Sequence, residues 1–134
     1  VSIEEVELVT GAPKRTLVEK FVKAMATKDV QGALQAVHTA SKENIAMPVF
    51  LKMVLHMLRS ILLVRFAPDL KEEVLEQFAE GDRIFVLDMS GSSGSGINSK
   101  VLLSLLEAYE QMAFAAVPEL PFELAVARMA ENGS

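Results

Sequence analysis

Residues 47–66 read Met-Pro-Val-Phe-Leu-Lys-Met-Val-Leu-His-Met-Leu-Arg-Ser-Ile-Leu-Leu-Val-Arg-Phe, and this stretch decides the fold. Phe50, Leu51, Val54, Leu55, Leu58, Ile61 and Leu62 recur at helical spacing, and Met47, Met53 and Met57 widen the apolar surface. Pro48 fits a first helical turn, where its missing N–H costs nothing. A helix apolar over most of its circumference is central to a bundle or faces another chain. The length also matches a bilayer span. However, Lys52, His56 and Arg59 stand at i, i+4 and i+7, a polar stripe through the middle of the helix that hydrocarbon would not tolerate. The stretch is therefore read as a core or interface helix, not a membrane span.

Outward from it, the same periodicity repeats. On the N-terminal side, Leu17, Val18, Phe21, Val22 and Met25 form one apolar face after Pro13. Asp29 is placed to cap a further helix bearing Ala33, Leu34, Val37 and Ala40, and the short connection makes these two antiparallel. Ser2-Ile3-Glu4-Glu5 reads as a capping box on a short first helix stopped by Thr10-Gly11. On the C-terminal side, Pro68-Asp69 ends the long helix, and a helix is predicted over 71–80 with Val74, Leu75 and Phe78 inward. Gly81-Asp82 is expected to interrupt. Ile84-Phe85-Val86-Leu87 is short enough to be strand or helix. A lone strand would leave its backbone groups unpaired, so helix is favoured. Ser90 to Gly96 holds only Ser and Gly and is read as a flexible linker. A helix over about 97–117 follows, then a last one started by Pro121, with Phe122, Ala125, Val126 and Met129 inward. Residues 131–134 are expected to fray.

Composition agrees. Hydrophobic residues are 51 % of the 134, enough for a core, whereas aromatics are only 6 % and Trp is absent. A core of Leu, Val, Ala, Ile and Met suits helix packing better than a sheet sandwich. The expected fold is all-α, a bundle of six to seven helices. A net charge of −5 repels phosphate, which argues against direct nucleic-acid binding. No cysteine is present, so disulfides, Cys-zinc sites and thiol nucleophiles are excluded, and a reducing, cytoplasmic setting is expected.

No constellation for catalysis or cofactor binding emerges. Gly91 to Gly96 precedes a helix, but Ile97-Asn98 stands where a phosphate-binding loop needs Lys-Ser/Thr, and Lys100 comes too late. His38 and His56 are each alone on their helices, without metal-ligand spacing. Glu4, Glu5 and Glu7, and Glu72, Glu73 and Glu76, read as helix-start charges and solvated faces. The basic group Lys14, Arg15, Lys20, Lys23 and Lys28 lacks interleaved aromatics and reads as a solvated helix face. The chain is thus expected to be no enzyme and to need no cofactor or metal.

Three segments together resemble one family. They are Val1 to Val6 followed by Thr10-Gly11; Phe50-Leu51-Lys52-Met53-Val54-Leu55-His56-Met57-Leu58-Arg59; and Glu119-Leu120-Pro121-Phe122-Glu123-Leu124-Ala125-Val126-Ala127-Arg128-Met129. In this order they resemble the third domain of the gamma/tau subunit of bacterial DNA polymerase III, in the clamp loader. Leu120 to Ala125 matches that family's Leu-Pro-x-Glu-Leu-Ala-like string. The region from Ile84 to Gly96 departs from the family pattern. The resemblance implies a collar-like oligomerisation domain, with residues 1–12 as a helix leaving an upstream lid and 13–130 as the collar. The AAA+ ATPase modules would lie upstream, and the start at Val1 rather than Met fits a piece of a longer protein. It further implies partners among gamma/tau copies, delta and delta-prime, and no membrane contact. The candidate subunit interface is Leu55, Leu58 and Leu62 on the long helix with Leu106, Tyr109 and Leu124 on the last two; the periodicity alone does not separate interface from core. Two other readings stand beside this one. The first is a free-standing adaptor holding a partner's helix or peptide in a Met/Leu-rich groove. The second is a small nucleotide-using enzyme built on Ser90 to Gly96.

Overall fold

The structure, a computed structural model, describes residues 12–91 and 94–133. Seven α-helices account for most of these residues: α1 (Ala12–Ala26), α2 (Val30–Lys42), α3 (Met47–Phe66), α4 (Lys71–Leu75), α5 (Glu80–Ser90), α6 (Ser99–Met112) and α7 (Glu119–Gly133). A 3₁₀ turn, Pro68–Leu70, joins α3 to α4, and no strand occurs among the described residues. The protein is an all-α bundle. The capping box at Ser2 to Glu5, the stop at Thr10-Gly11 and the linker helix up to residue 11 lie outside the described residues.

Helix α3 is the axis. It packs on α1, α4, α5 and α6 and touches α2. Half of it is buried, while Lys52, His56 and Arg59 are exposed as their spacing required. Its length and composition would suit a membrane, but so would any core helix, and its apolar side is occupied by its neighbours. The one buried hydroxyl on it, Ser60, donates to the His56 carbonyl one turn back at 3.0 Å, so no polar atom is stranded there.

Local chemistry sets the helix ends. The Asp29 carboxylate accepts from Gly32 N–H at 3.0 Å and starts α2, as its position predicted. Helices α1 and α2 both end in the same doubled turn. Asp29 N–H reaches the Ala24 carbonyl and Lys28 N–H the Met25 carbonyl; Ile45 and Asn44 repeat this on Ala40 and Ser41. Asn98 accepts from Val101 N–H at 3.0 Å and starts α6 at Ser99, two residues later than the apolar pattern suggested.

Several expectations need correction. Helix α6 stops at Met112 rather than near Val117. Phe114 and Ala115 instead make tight i−3 bonds to Gln111 and Met112, which end the helix and leave Phe114 92 % exposed. Helix α7 begins at Glu119, two residues before Pro121, and runs to Gly133. Helix α4 is a short piece ending at Leu75, and the break falls at 76–79, not at Gly81-Asp82. Arg83 explains this: its Nε donates to the carbonyls of Leu75 and Phe78, both at 2.8 Å, and so caps α4 from the first turn of α5. Asp82 is itself in that first turn, where the helix dipole favours a carboxylate. Ile84 to Leu87 is helical, as favoured.

The described residues of the Ser/Gly stretch, 90–91 and 94–96, are held by contacts, where a flexible linker was expected. Arg65, in the last turn of α3, donates from Nε to Ser90 O (3.1 Å) and from Nη1 to Ile97 O (2.6 Å). Its Nη2 donates to Met89 O (3.0 Å) and Gly94 O (2.9 Å). One guanidinium thus satisfies the end carbonyls of α5 and two more beyond it. Gly94 and Gly96 are buried, and a Cβ at either would overlap backbone: Met89 for the first, Met25 and Ala26 for the second. The glycines there serve close approach rather than mobility.

The deepest contact is aromatic. Phe21 of α1, Phe50 of α3 and Phe122 of α7 are fully buried. Their ring centroids lie 6.3 Å (Phe21–Phe50), 5.0 Å (Phe21–Phe122) and 5.8 Å (Phe50–Phe122) apart, the first two edge to face. Phe122→Ala would remove the only large α7 side chain in that cluster and is expected to cost about 3–5 kcal/mol in urea unfolding. Arg65→Lys keeps the charge but loses the fork. It is expected to destabilise by about 2–4 kcal/mol and to speed amide exchange around Ile97 more than in α1.

Candidate assembly surface

The six residues named from the sequence fall into three environments. Leu58 is fully buried, so it belongs to the core and not to an interface. Leu55, Leu62 and Tyr109 are half-buried and pack against the core. Leu106 and Leu124 are outward, 45 % and 53 % exposed. The long helix therefore turns its leucines inward, and the outward apolar surface lies on the last two helices.

That surface is larger than the sequence reading had it. Leu103 and Leu106 are one turn apart on α6, and Leu120 and Leu124 one turn apart on α7. All four are exposed, and so are Phe114 and Val117 in the connection. The two helices lie side by side, joined by a 3.5 Å Arg128–Glu107 pair that is about half exposed and contributes little to stability. On the inner side of the hairpin, Val101, Leu105, Ala108, Met112, Phe122, Ala125 and Val126 are buried. Each helix is thus apolar on two sides, only one of which the fold uses. Leu120 was legible from this: with Phe122, Ala125, Val126 and Met129 inward, i, i+4 spacing puts Leu120 and Leu124 on the opposite face. Phe114 was hidden by the expectation that α6 runs past it.

A second outward group is Phe66, Leu70, Ile84 and Leu87. Ile84 and Leu87 stand on α5, which shares no extensive packing with α6 or α7. Apolar side chains scattered singly are ordinary on any protein; the group on the α6–α7 hairpin is the candidate contact surface.

The residues considered for chemistry are dispersed. His38 and His56 are both exposed, and the His56 ring stacks at 5.7 Å on Phe78. Glu72, Glu73 and Glu76 point to solvent, as do Lys20, Lys23 and Lys28. No three metal-ligating side chains converge among the described residues. Lys100 is exposed in the first turn of α6. The methionines Met47 and Met57 are buried and Met53 is partly so, so the Met-rich side of α3 is core.

One polar cluster was missed by the sequence reading. Between α1 and α5, Asp82 is nearly buried and pairs with Arg15 at 3.5 Å. Glu19 shares a side-chain hydrogen bond with Asp82, and its carboxyl is raised to about 7. Burial is the main cause, followed by the bond to Asp82 and its negative charge, with Arg15 opposing. The i, i+4 pair Arg15–Glu19 was visible in the sequence, but its partner 63 residues on was not.

No family model, curated protein or solved structure matches this chain.

The raised Glu19 carboxyl makes a pH prediction. A group that binds its proton more tightly when folded contributes stability that is complete below its ordinary value of 4.5 and is lost as pH rises through about 7. Chemical unfolding of wild type and Glu19→Gln, from about pH 5 to about pH 8, should show wild type losing stability relative to the variant across that window. A constant difference between the two would mean that Glu19 titrates normally.

Proposed function

We propose that this chain is a non-catalytic helical assembly domain and, at finer grain, the collar of a clamp-loader gamma/tau subunit of DNA polymerase III. The observation that carries the assembly reading is the outward apolar row on α6–α7: Leu106, Phe114, Val117, Leu120 and Leu124, each 45 % exposed or more. A solvated hairpin has no use for five such side chains, whereas a subunit contact buries them with a gain of about 25 cal/mol per Å². The finer reading rests on the three sequence segments that resemble the family, of which the long apolar helix is α3 and the Leu120 to Ala125 string lies within α7.

In this account the mechanism is packing. The outward face of α6–α7 meets a neighbouring subunit, and the group on α5 and the end of α3 offers a second, non-identical contact. A subunit with two different contact faces joins head to tail, which closes into a ring when the rotation allows it. The ring would hold ATPase modules that belong to the parent subunit, so that ATP binding can open the sliding clamp. Partners are other gamma/tau copies, delta and delta-prime. With a net charge of −5, DNA contact would fall to other parts of the assembly.

Leu124→Asp tests this reading. Light scattering on the chain mixed with delta and delta-prime subunits should show complexes for wild type and none for the variant. Circular dichroism of the two should match, because Leu124 is outward. Wild type that stays alone in every mixture would defeat the reading, and a variant that loses helical signal would make Leu124 a fold residue.

A further inference from the structure

We propose that the cleft between the α1–α2 turn, α6 and α7 docks an amphipathic helix of a partner protein whose apolar face is flanked by carboxylates. The cleft has a volume of about 690 Å³. Its floor is apolar, from Met25, Val30, Val101, Val126 and Met129. Two of these are methionines, which adapt to the shape of what they meet. Its rim carries Lys28, Lys100 and Arg128 against Asp29 and Glu107.

Both rim carboxylates are engaged: Asp29 caps α2, and Glu107 pairs with Arg128. Lys28 and Lys100 form no ion pair among the described residues, and both are exposed. The rim sums to +1, three cations against two carboxylates, on a chain that carries −5, and its two unpaired lysines beside an apolar floor favour an occupant of the opposite sign.

Lys28 adds an independent argument. It sits with φ 61°, the left-handed position that ends α1. Asn44 holds the same position at the end of α2, with φ 62°. Asn and Gly are the residues that this conformation favours, and a long side chain there is strained. Folding alone would choose Gly at position 28; a lysine there places a charge on the rim at a cost to the fold.

A helix fits better than a small anion. Leu103 on the cleft wall is 57 % exposed, so the apolar lining offers more contact than a small anion would use. This inference differs from the assembly role in its cleft floor, Met25, Val30, Val101, Val126 and Met129, none of which belongs to the assembly surface; Leu103 is common to both.

The experiment titrates the chain, with its methionine methyls isotope-labelled, with a synthetic Leu/Glu amphipathic helix. A Leu/Lys counterpart and octanoate serve as the comparison probes. The Leu/Glu peptide should shift the Met25 and Met129 methyls. Lys28→Gly and Lys100→Ala should each weaken it about threefold to tenfold, more at low salt. Lys28→Gly should melt no lower than wild type, which separates lost binding from lost folding. Four results would overturn the proposal: no methyl shift up to about 1 mM peptide; equal binding of the Leu/Lys peptide; octanoate binding as tightly as the peptide, which marks a small-anion site; or loss of self-association in Lys28→Gly, which makes the occupant a second copy of this chain.

Discussion

The contact among Phe21, Phe50 and Phe122 is the constraint on which the rest of the structure depends. It brings α1, α3 and α7 together, and those residues come from the beginning, middle and end of the described chain. With so few aromatics, the fold places three of its seven phenylalanines in mutual contact, where edge-to-face geometry adds to the area each one buries. Fixing Phe122 there fixes α7, and α7 then holds α6 beside it with the inner row from Leu105 to Val126 sealed. The outer row, with Leu120 and Leu124, faces away because the inner row is committed. The outward apolar surface is thus a consequence of where the core closes.

The polar groups complete this arrangement instead of competing with it. A bundle made of short helices has many end carbonyls, and each must find a donor. Arg65 and Arg83 supply them for the ends of α5 and α4 from neighbouring turns. No buried side-chain nitrogen or oxygen among the described residues lacks a partner. The Glu19–Asp82–Arg15 cluster is the exception in kind: it is satisfied only while one carboxyl keeps a proton, so its contribution depends on pH.

Much of the fold was legible in the sequence, because 3.6-residue periodicity reports burial directly. The faces of α1, α2 and α3, the Asp29 cap and the place of Pro48 all follow from spacing and local chemistry. What spacing does not reveal is long-range polar contact. Arg65 looked like an ordinary charged residue at a helix end, and the Ser/Gly stretch after α5 looked loose. Only the fold brings four carbonyls around that guanidinium and presses Gly96 onto the end of α1. The same limit explains the interface residues. Leu58 lies on a helix apolar over most of its circumference, where spacing leaves core and interface alike open, and only three-dimensional packing puts it inside.

The proposed role turns on whether the outer row of α6–α7 becomes buried in an assembly. Amide hydrogen exchange on the chain, alone and with delta and delta-prime subunits present, tests that most directly. The account predicts slower exchange from residue 103 through residue 124 when the partners are added, with the buried end of α1 unchanged. Unchanged exchange over that stretch, or slowing confined to α1 and α2, would contradict it.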